Sequence, residues 1–132
     1  MRTLLIVDGA NVVGSRPDGW WRDRMAAAAR LRDQLVGVAD RGLPELTGPL
    51  EVVLVVEGAA RGLPPTDGVR IGVAPGSGDD LIVEIAAEGG RDRRVVVVTA
   101  DRRLRDRVTE VGAQIHGPRW LTRQLTDPVS DF

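Results

Sequence analysis

Val52-Val53-Leu54-Val55-Val56, closed by Glu57, is an apolar run with no polar alternation. A strand with one wet face alternates, so a run of this kind suits a strand covered on both faces at the centre of a parallel sheet. Val95-Val96-Val97-Val98 has the same character. Outward from this pair, shorter apolar runs bounded by Gly, Pro or acids lie at 3–7, 69–73 and, more weakly, 113–116. With 50–56 and 94–99 they are the predicted strands.

Between these runs the period changes. Met25, Ala28, Leu31, Leu35 and Val38 recur every three to four residues, which predicts a helix over 21–40 ended by Gly42 and Pro44. Residues 79–88 are apolar almost all round except Glu84 and Glu88, which predicts a largely buried helix. Over 101–111, Leu104, Val108 and Val111 share one stripe, while Arg102, Arg103, Arg105 and Arg107 fall mostly off it. A last short helix is expected from Pro118 to about residue 125, because Pro suits a first helical turn. The tail over 126–132 is expected to fray. Asp8-Gly9-Ala10-Asn11 reads as a loop, and the Gly- and Pro-rich connection from Val56 to Val69 as a loop or a degenerate crossover. Alternating strands and helices imply an α/β fold, a three-layer α/β/α sandwich around a mainly parallel sheet. One domain over 1–126, followed by a tail at 127–132, accounts for the whole pattern.

Composition removes whole chemistries. Among 132 residues there is no Cys and no Lys, all 18 basic residues are Arg, and His116 is the only histidine. That excludes a thiol nucleophile, a thiolate zinc site, a Schiff base and a phosphate-binding Walker lysine. A site built on several histidines is excluded too. The N-terminal apolar run is too short for a signal peptide, and no run approaches about 18 apolar residues. A cytoplasmic protein with no membrane contact is the expectation. The formal charge of −1 hides an uneven spread, with an acidic middle between two Arg-rich flanks. Such flanks suit a negatively charged partner on one face.

What the chain has in quantity is carboxylate, and its acids fall at particular places. Asp8 follows the first predicted strand and Glu57 the second; Asp79 and Asp80 open the helix after the third; Asp101 comes two residues after the fourth. Ligands of open parallel sheets bind beyond the carboxyl ends of the strands, where the strand order reverses. With a strand order of 3-2-1-4-5, Asp8 and Asp101 become neighbours and the helix opened by Asp79 and Asp80 starts above the same crevice. Carboxylates crowded this way need compensation, and Mg²⁺ or Mn²⁺ is the usual source. Taken singly, Asp79, Asp80 and Asp101 read more readily as helix caps, and Glu57 as a solvated strand end. The set carries more weight than any member.

Three segments then resemble a known family. Asp8-Gly9-Ala10-Asn11-Val12-Val13, Gly78-Asp79-Asp80-Leu81-Ile82-Val83 and Val98-Thr99-Ala100-Asp101-Arg102 are similar, in order, to the three motifs of NYN domains. These belong to the PIN-like (FLAP nuclease-like) superfamily, and the likeness is to its small bacterial YacP-like members, from about Leu4 to Arg107. The resemblance implies a PIN-like sandwich and a metal-dependent nuclease, usually a ribonuclease. Its catalytic positions fall on Asp8, Asn11, Asp79, Asp80 and Asp101. Its metal ligands fall on Asp8, Asp79, Asp80 and Asp101, with Glu57 where Asp is the commoner residue. PIN toxins carry Asp-x-Asn in the first motif and an acidic helix after the second strand. The Asp-x-x-Asn here, without that helix, favours the NYN branch.

The implied chemistry is in-line hydrolysis with Mg²⁺ or Mn²⁺ as cofactor and single-stranded or structured RNA as partner. Asn11 would orient Asp8, a bound water or the phosphate, or else serves the turn. Arg102 could meet a phosphate bidentately, and Arg16, Arg22 and Arg24 flank the first loop, where they could track a strand's backbone or simply be solvated. Trp20 and Trp21 suit base stacking or an apolar lid on the first long helix. Trp120 reads as core and His116 as structural. Self-association or an inhibitory protein partner is a further family habit, which no apolar stripe here specifies. A Toprim reading of Glu57-Gly58 lacks the later Asp-x-Asp, and a haloacid-type phosphatase lacks a second Asp at Ala10. The competing reading from another class is an NYN module that binds RNA or a partner without cleaving.

Overall fold

The computed structural model of the chain describes residues 2–125. Five parallel strands form its main sheet: β1 (Leu4–Asp8), β4 (Glu51–Val56), β5 (Val69–Val73), β6 (Val95–Val98) and β7 (Gln114–His116). Their order is β5-β4-β1-β6-β7. The numbering departs from the predicted 3-2-1-4-5 because a two-stranded ribbon, β2 (Gly42–Leu43) with β3 (Leu46–Thr47), stands between the first two predicted strands. The valine runs occupy central strands β4 and β6, paired on either side of β1. Parallel pairing buries both faces there, so alternation is not needed.

Side chains of successive residues point to opposite faces of the sheet, and this divides the core in two. Leu5 and Val7, Val52, Leu54 and Val56, and Val96 and Val98 enter one core, closed by Leu31, Leu35 and Val38 of α2 (Arg24–Arg41) and by Leu121 of α5 (Pro118–Thr122). Leu4 and Ile6, Val53 and Val55, and Val95 and Val97 enter the other. Ile82 and Ala86 of α3 (Gly78–Gly89) and Leu104 and Val108 of α4 (Arg102–Glu110) close that side. The result is the expected three-layer sandwich. By position, Asp8 continues the series Leu4 and Ile6, Glu57 continues Val53 and Val55, and Thr99 continues Val95 and Val97. All three therefore fall on the α3/α4 side at the carboxyl end of the sheet.

Several local expectations are corrected. The segment after Asp8 is not a loop: it enters helix α1 (Gly9–Gly14), with Asp8 as N-cap. Val12 and Val13 are poor helix formers, but both are buried, and packing overrides propensity. Helix α2 starts at Arg24, not at Trp21, because Asp23 caps it by accepting the Ala26 N–H at 3.0 Å; Trp20–Arg22 form a separate 3-10 turn. Helix α5 ends at Thr122, short of residue 125. The Val56–Val69 connection holds a 3-10 turn (Gly58–Ala60) and an isolated Thr66–Val69 bridge, and no crossover helix. The ribbon is set by Gly42, which ends α2 at φ 79°, where a Cβ would lie 2.3 Å from the Leu46 carbonyl oxygen. Residues 126–132, including the predicted tail, lie outside the described residues. Among those described, no helix is long and apolar enough to cross a membrane.

Gly9 shows how closely α1 is set against the sheet. A Cβ there would lie 2.6 Å from the Val55 carbonyl oxygen and 3.2 Å from Leu54 Cδ1. Backbone cannot swing aside as a flexible side chain can. Gly9→Ala is therefore expected to cost about 1–3 kcal/mol of stability through overpacking, measured by urea denaturation.

Candidate active site

The end of β1 is tied to the end of β6 by side chains. Asp8 is only 6% exposed. Its Oδ2 accepts the Thr99 hydroxyl at 2.9 Å, and its Oδ1 takes the Asn11 N–H at 3.5 Å, the limit of a hydrogen bond. Thr99, fully buried, also accepts the Asp101 N–H at 3.1 Å. Asn11 Oδ1 accepts the Ala100 N–H at 2.8 Å. The β1–α1 corner and the β6–α4 corner are thus fastened by two bonds between residues far apart in sequence. Asp101 caps α4 by accepting the Leu104 N–H at 2.9 Å.

A second fastening joins β4 to α3. Glu57 Oε2 accepts the Gly78 N–H, at the first turn of the helix. Asp79, one residue on, is half-buried and senses Asp101 and Glu57. Asp80 does not join this group. Its side chain is 89% exposed and pairs with Arg107 of α4 at 2.9 Å. Successive helical residues point about 100° apart, so only one of the two acids can face the crevice, and it is Asp79.

The electrostatics mark the same place. Burial pushes the Asp8 carboxyl up from 3.8 to about 6; the Thr99 and Asn11 hydrogen bonds oppose this, and the negative charges of Asp79 and Glu57 add to it. Asp79 is likewise raised, by burial and then by Asp101 and Glu57, against a smaller pull from Arg107. Glu51, at the opposite end of the sheet, is held below the ordinary range by hydrogen bonds from Arg93. Among the described residues no arginine ion-pairs with Asp8, Glu57, Asp79 or Asp101. Glu51 and Asp80 are ion-paired with arginines; these four are not.

The donor set is all oxygen, which suits a hard divalent cation. As the side chains stand, no three of the described acids and histidine converge closely enough to hold a metal ion on their own. Mg²⁺ does not require that closure, because it keeps several waters and takes only one or two carboxylates directly.

Comparison with known proteins adds the fold. No protein-family model matches the chain, and no curated protein does. The crystal structure of Rae1 (YacP) from Bacillus subtilis matches it with a TM-score of 0.75 at 18% identity, over 92% of this chain and 72% of that one. A single-substitution variant of the same protein gives 0.77 at 18% identity, over 94% and 74%. The likeness is one of fold. It agrees with the YacP-like resemblance drawn from the three sequence motifs.

The predicted substrate-binding arginines are dispersed. Arg102 is exposed at the start of α4, beside Asp101. Arg16 donates to Gln34 Oε1 at 2.7 Å, on the α2 side. Arg22 is exposed, 5.9 Å from the Trp21 ring centroid. Trp120 is half-buried against the core and stacks on His116, with ring centroids 3.8 Å apart. His116 Nε2 lies 3.6 Å from Glu45. Thr99 was given no role by sequence reasoning. The available signal was a hydroxyl closing an all-valine strand two residues before Asp101.

The shift at Asp8 has a sign that can be checked. A carboxyl raised in the folded state favours folding while protonated, so its contribution is complete below about pH 4 and lost as pH rises through about 6. Asp8→Asn removes the charge but keeps the shape. In EDTA, the variant should gain up to about 3 kcal/mol relative to the parent chain between pH 4 and pH 7.5, measured by urea denaturation.

Proposed function

We propose that the chain is a metal-dependent nuclease of the NYN/PIN-like type, hydrolysing phosphodiester bonds in RNA. The observation that carries this reading is the gathering of Asp8, Glu57, Asp79 and Asp101 at the carboxyl end of the sheet with no arginine ion pair to any of them among the described residues. The motif resemblance and the Rae1-like fold support it.

Asp8 and Asp79, with Asp101 and Glu57 around them, would hold Mg²⁺ or Mn²⁺, partly through waters. Such an ion would neutralise charge on the phosphodiester and make water acidic enough to attack at neutral pH. The remaining work belongs to the chain. Thr99 and Asn11 hold the Asp8 carboxylate in place, so it need not reorganise when substrate arrives. Asn11, fixed in turn by the Ala100 N–H, keeps its own amide group for a water or a phosphate oxygen. Arg102, exposed beside Asp101, is placed to meet a backbone phosphate. A carboxylate not occupied by metal accepts the proton of the attacking water. Asp80, paired outward with Arg107, has no part in this arrangement.

The test is cleavage of single-stranded RNA, structured RNA and DNA with Mn²⁺ or Mg²⁺ against EDTA. Metal-dependent cleavage of RNA is expected, falling about 100-fold or more in Asp8→Asn. Asp79→Asn should fall at least about tenfold further than Asp80→Asn, since only one of the two faces the crevice. Because the side chains as they stand do not close around a metal, a non-cleaving RNA- or partner-binding module is the second reading. Intact substrate under every condition, with no heat of Mn²⁺ binding in calorimetry, would put that reading first.

A further inference from the structure

Beside the carboxylates, on the opposite side of the α1 corner, lies a cavity of about 180 Å³. Gly9, Ala10, Val56 and Glu57 line it from the sheet end, and Trp20 and Arg24 from the first turns of the helical layer. The walls are mainly apolar. The Arg24 guanidinium lies 5.5 Å from the Trp20 ring centroid and brings positive charge to the rim. Trp20 is packed against the core beneath, and its ring meets that of Trp21 edge-on at 6.1 Å. The indole is therefore held in place.

Three features decide what such a cavity can take. Its size is that of one ring system: a cavity of about 150 Å³ accommodates a benzene ring, whereas drug-sized ligands fill about 300–1,000 Å³. Its wall offers a fixed aromatic surface, with the Arg24 cation at the edge. Its position is directly behind Asp8, because Gly9 and Ala10 follow that residue and Glu57 borders both the cavity and the acids. A strand laid over the carboxyl end of the sheet from Asp8 toward α2 would pass the mouth of this cavity, with Arg24 on its far rim.

We propose that this cavity is a nucleobase subsite: one unstacked base of a single-stranded RNA enters it against Trp20, while Arg24 meets the adjoining phosphate. The inference rests on the nuclease reading for its choice of RNA over a peptide side chain. Aromatic contact with an unstacked base is worth a good deal to single-strand binding, and it needs no duplex. The substrate class is thereby narrowed to RNA with at least one flipped or unpaired nucleotide beside the scissile bond.

The experiment is a double-mutant cycle between protein and ligand, run in EDTA so that no cleavage intervenes. End-labelled hexaribonucleotides, each with one abasic position, are titrated by fluorescence anisotropy against the full chain and against Trp20→Ala. An abasic position removes a base and keeps its phosphate. One position is expected to weaken binding to the unsubstituted chain about tenfold or more, and to have less than a twofold effect in Trp20→Ala. Ala60→Leu, which fills the cavity from another wall and keeps the indole, should reproduce that loss of coupling if Trp20→Ala fails to fold. Equal effects of every abasic position in the unsubstituted chain and both variants would overturn the subsite. So would binding of a peptide that competes with the RNA and is lost in Ala60→Leu. Failure here leaves metal-dependent cleavage standing, and absence of cleavage leaves a measured base coupling standing.

Discussion

The hydrogen bond from the Thr99 hydroxyl to Asp8 is the contact on which the site depends. It crosses from the end of β6 to the end of β1, inside the protein, between two groups that would each be costly to bury alone. Everything nearby is positioned from it. Thr99 turns the chain so that Asp101 can cap α4, and Asp8 does the same for α1. Three acids of the crevice thus serve as local backbone partners, since Glu57 does so for α3. Capping and a ligand-binding role are not rivals here. Asp101 uses one oxygen to cap α4, and a carboxylate oxygen that accepts one hydrogen bond keeps a second lone pair.

The two ends of the sheet treat negative charge differently. At the amino end, Glu51 is met by Arg70 at 2.7 Å and by Arg93 at 3.1 Å, and its carboxyl is stabilised as an anion. At the carboxyl end, Asp8 and Asp79 are raised by burial and by neighbouring acids. The chain has 18 arginines, so the contrast does not come from a shortage of cations. It comes from placement. Perturbed carboxyls that cluster in a cleft are a mark of sites, whereas paired ones are a mark of structure.

Much of this was legible in the residues. The valine runs announced buried parallel strands, because no other common element tolerates such uniform branching and length. Asp8, Glu57 and Asp101 could be placed at strand ends from their positions alone. What escaped were features decided by contacts across the fold. Gly9–Gly14 carries no helical signal of its own, and burial of Val12 and Val13 makes it helical. Two-residue strands such as those of the ribbon leave no period to read. Asp79 and Asp80 are equivalent in sequence until α4 brings Arg107 to one of them. Thr99 acquires a purpose only once β6 lies beside β1, and the contact of Arg16 with Gln34, 18 residues away, appears only in the folded chain.

The fastenings span long stretches of chain: 91 residues separate Asp8 from Thr99, 89 separate Asn11 from Ala100, and 21 separate Glu57 from Gly78. Neither half of the polypeptide contains the crevice. It comes into existence only when the first strand has paired with the fourth and the sixth. A ligand that binds there consequently binds the finished molecule and no fragment of it, and its binding energy is added to the stability of the whole fold.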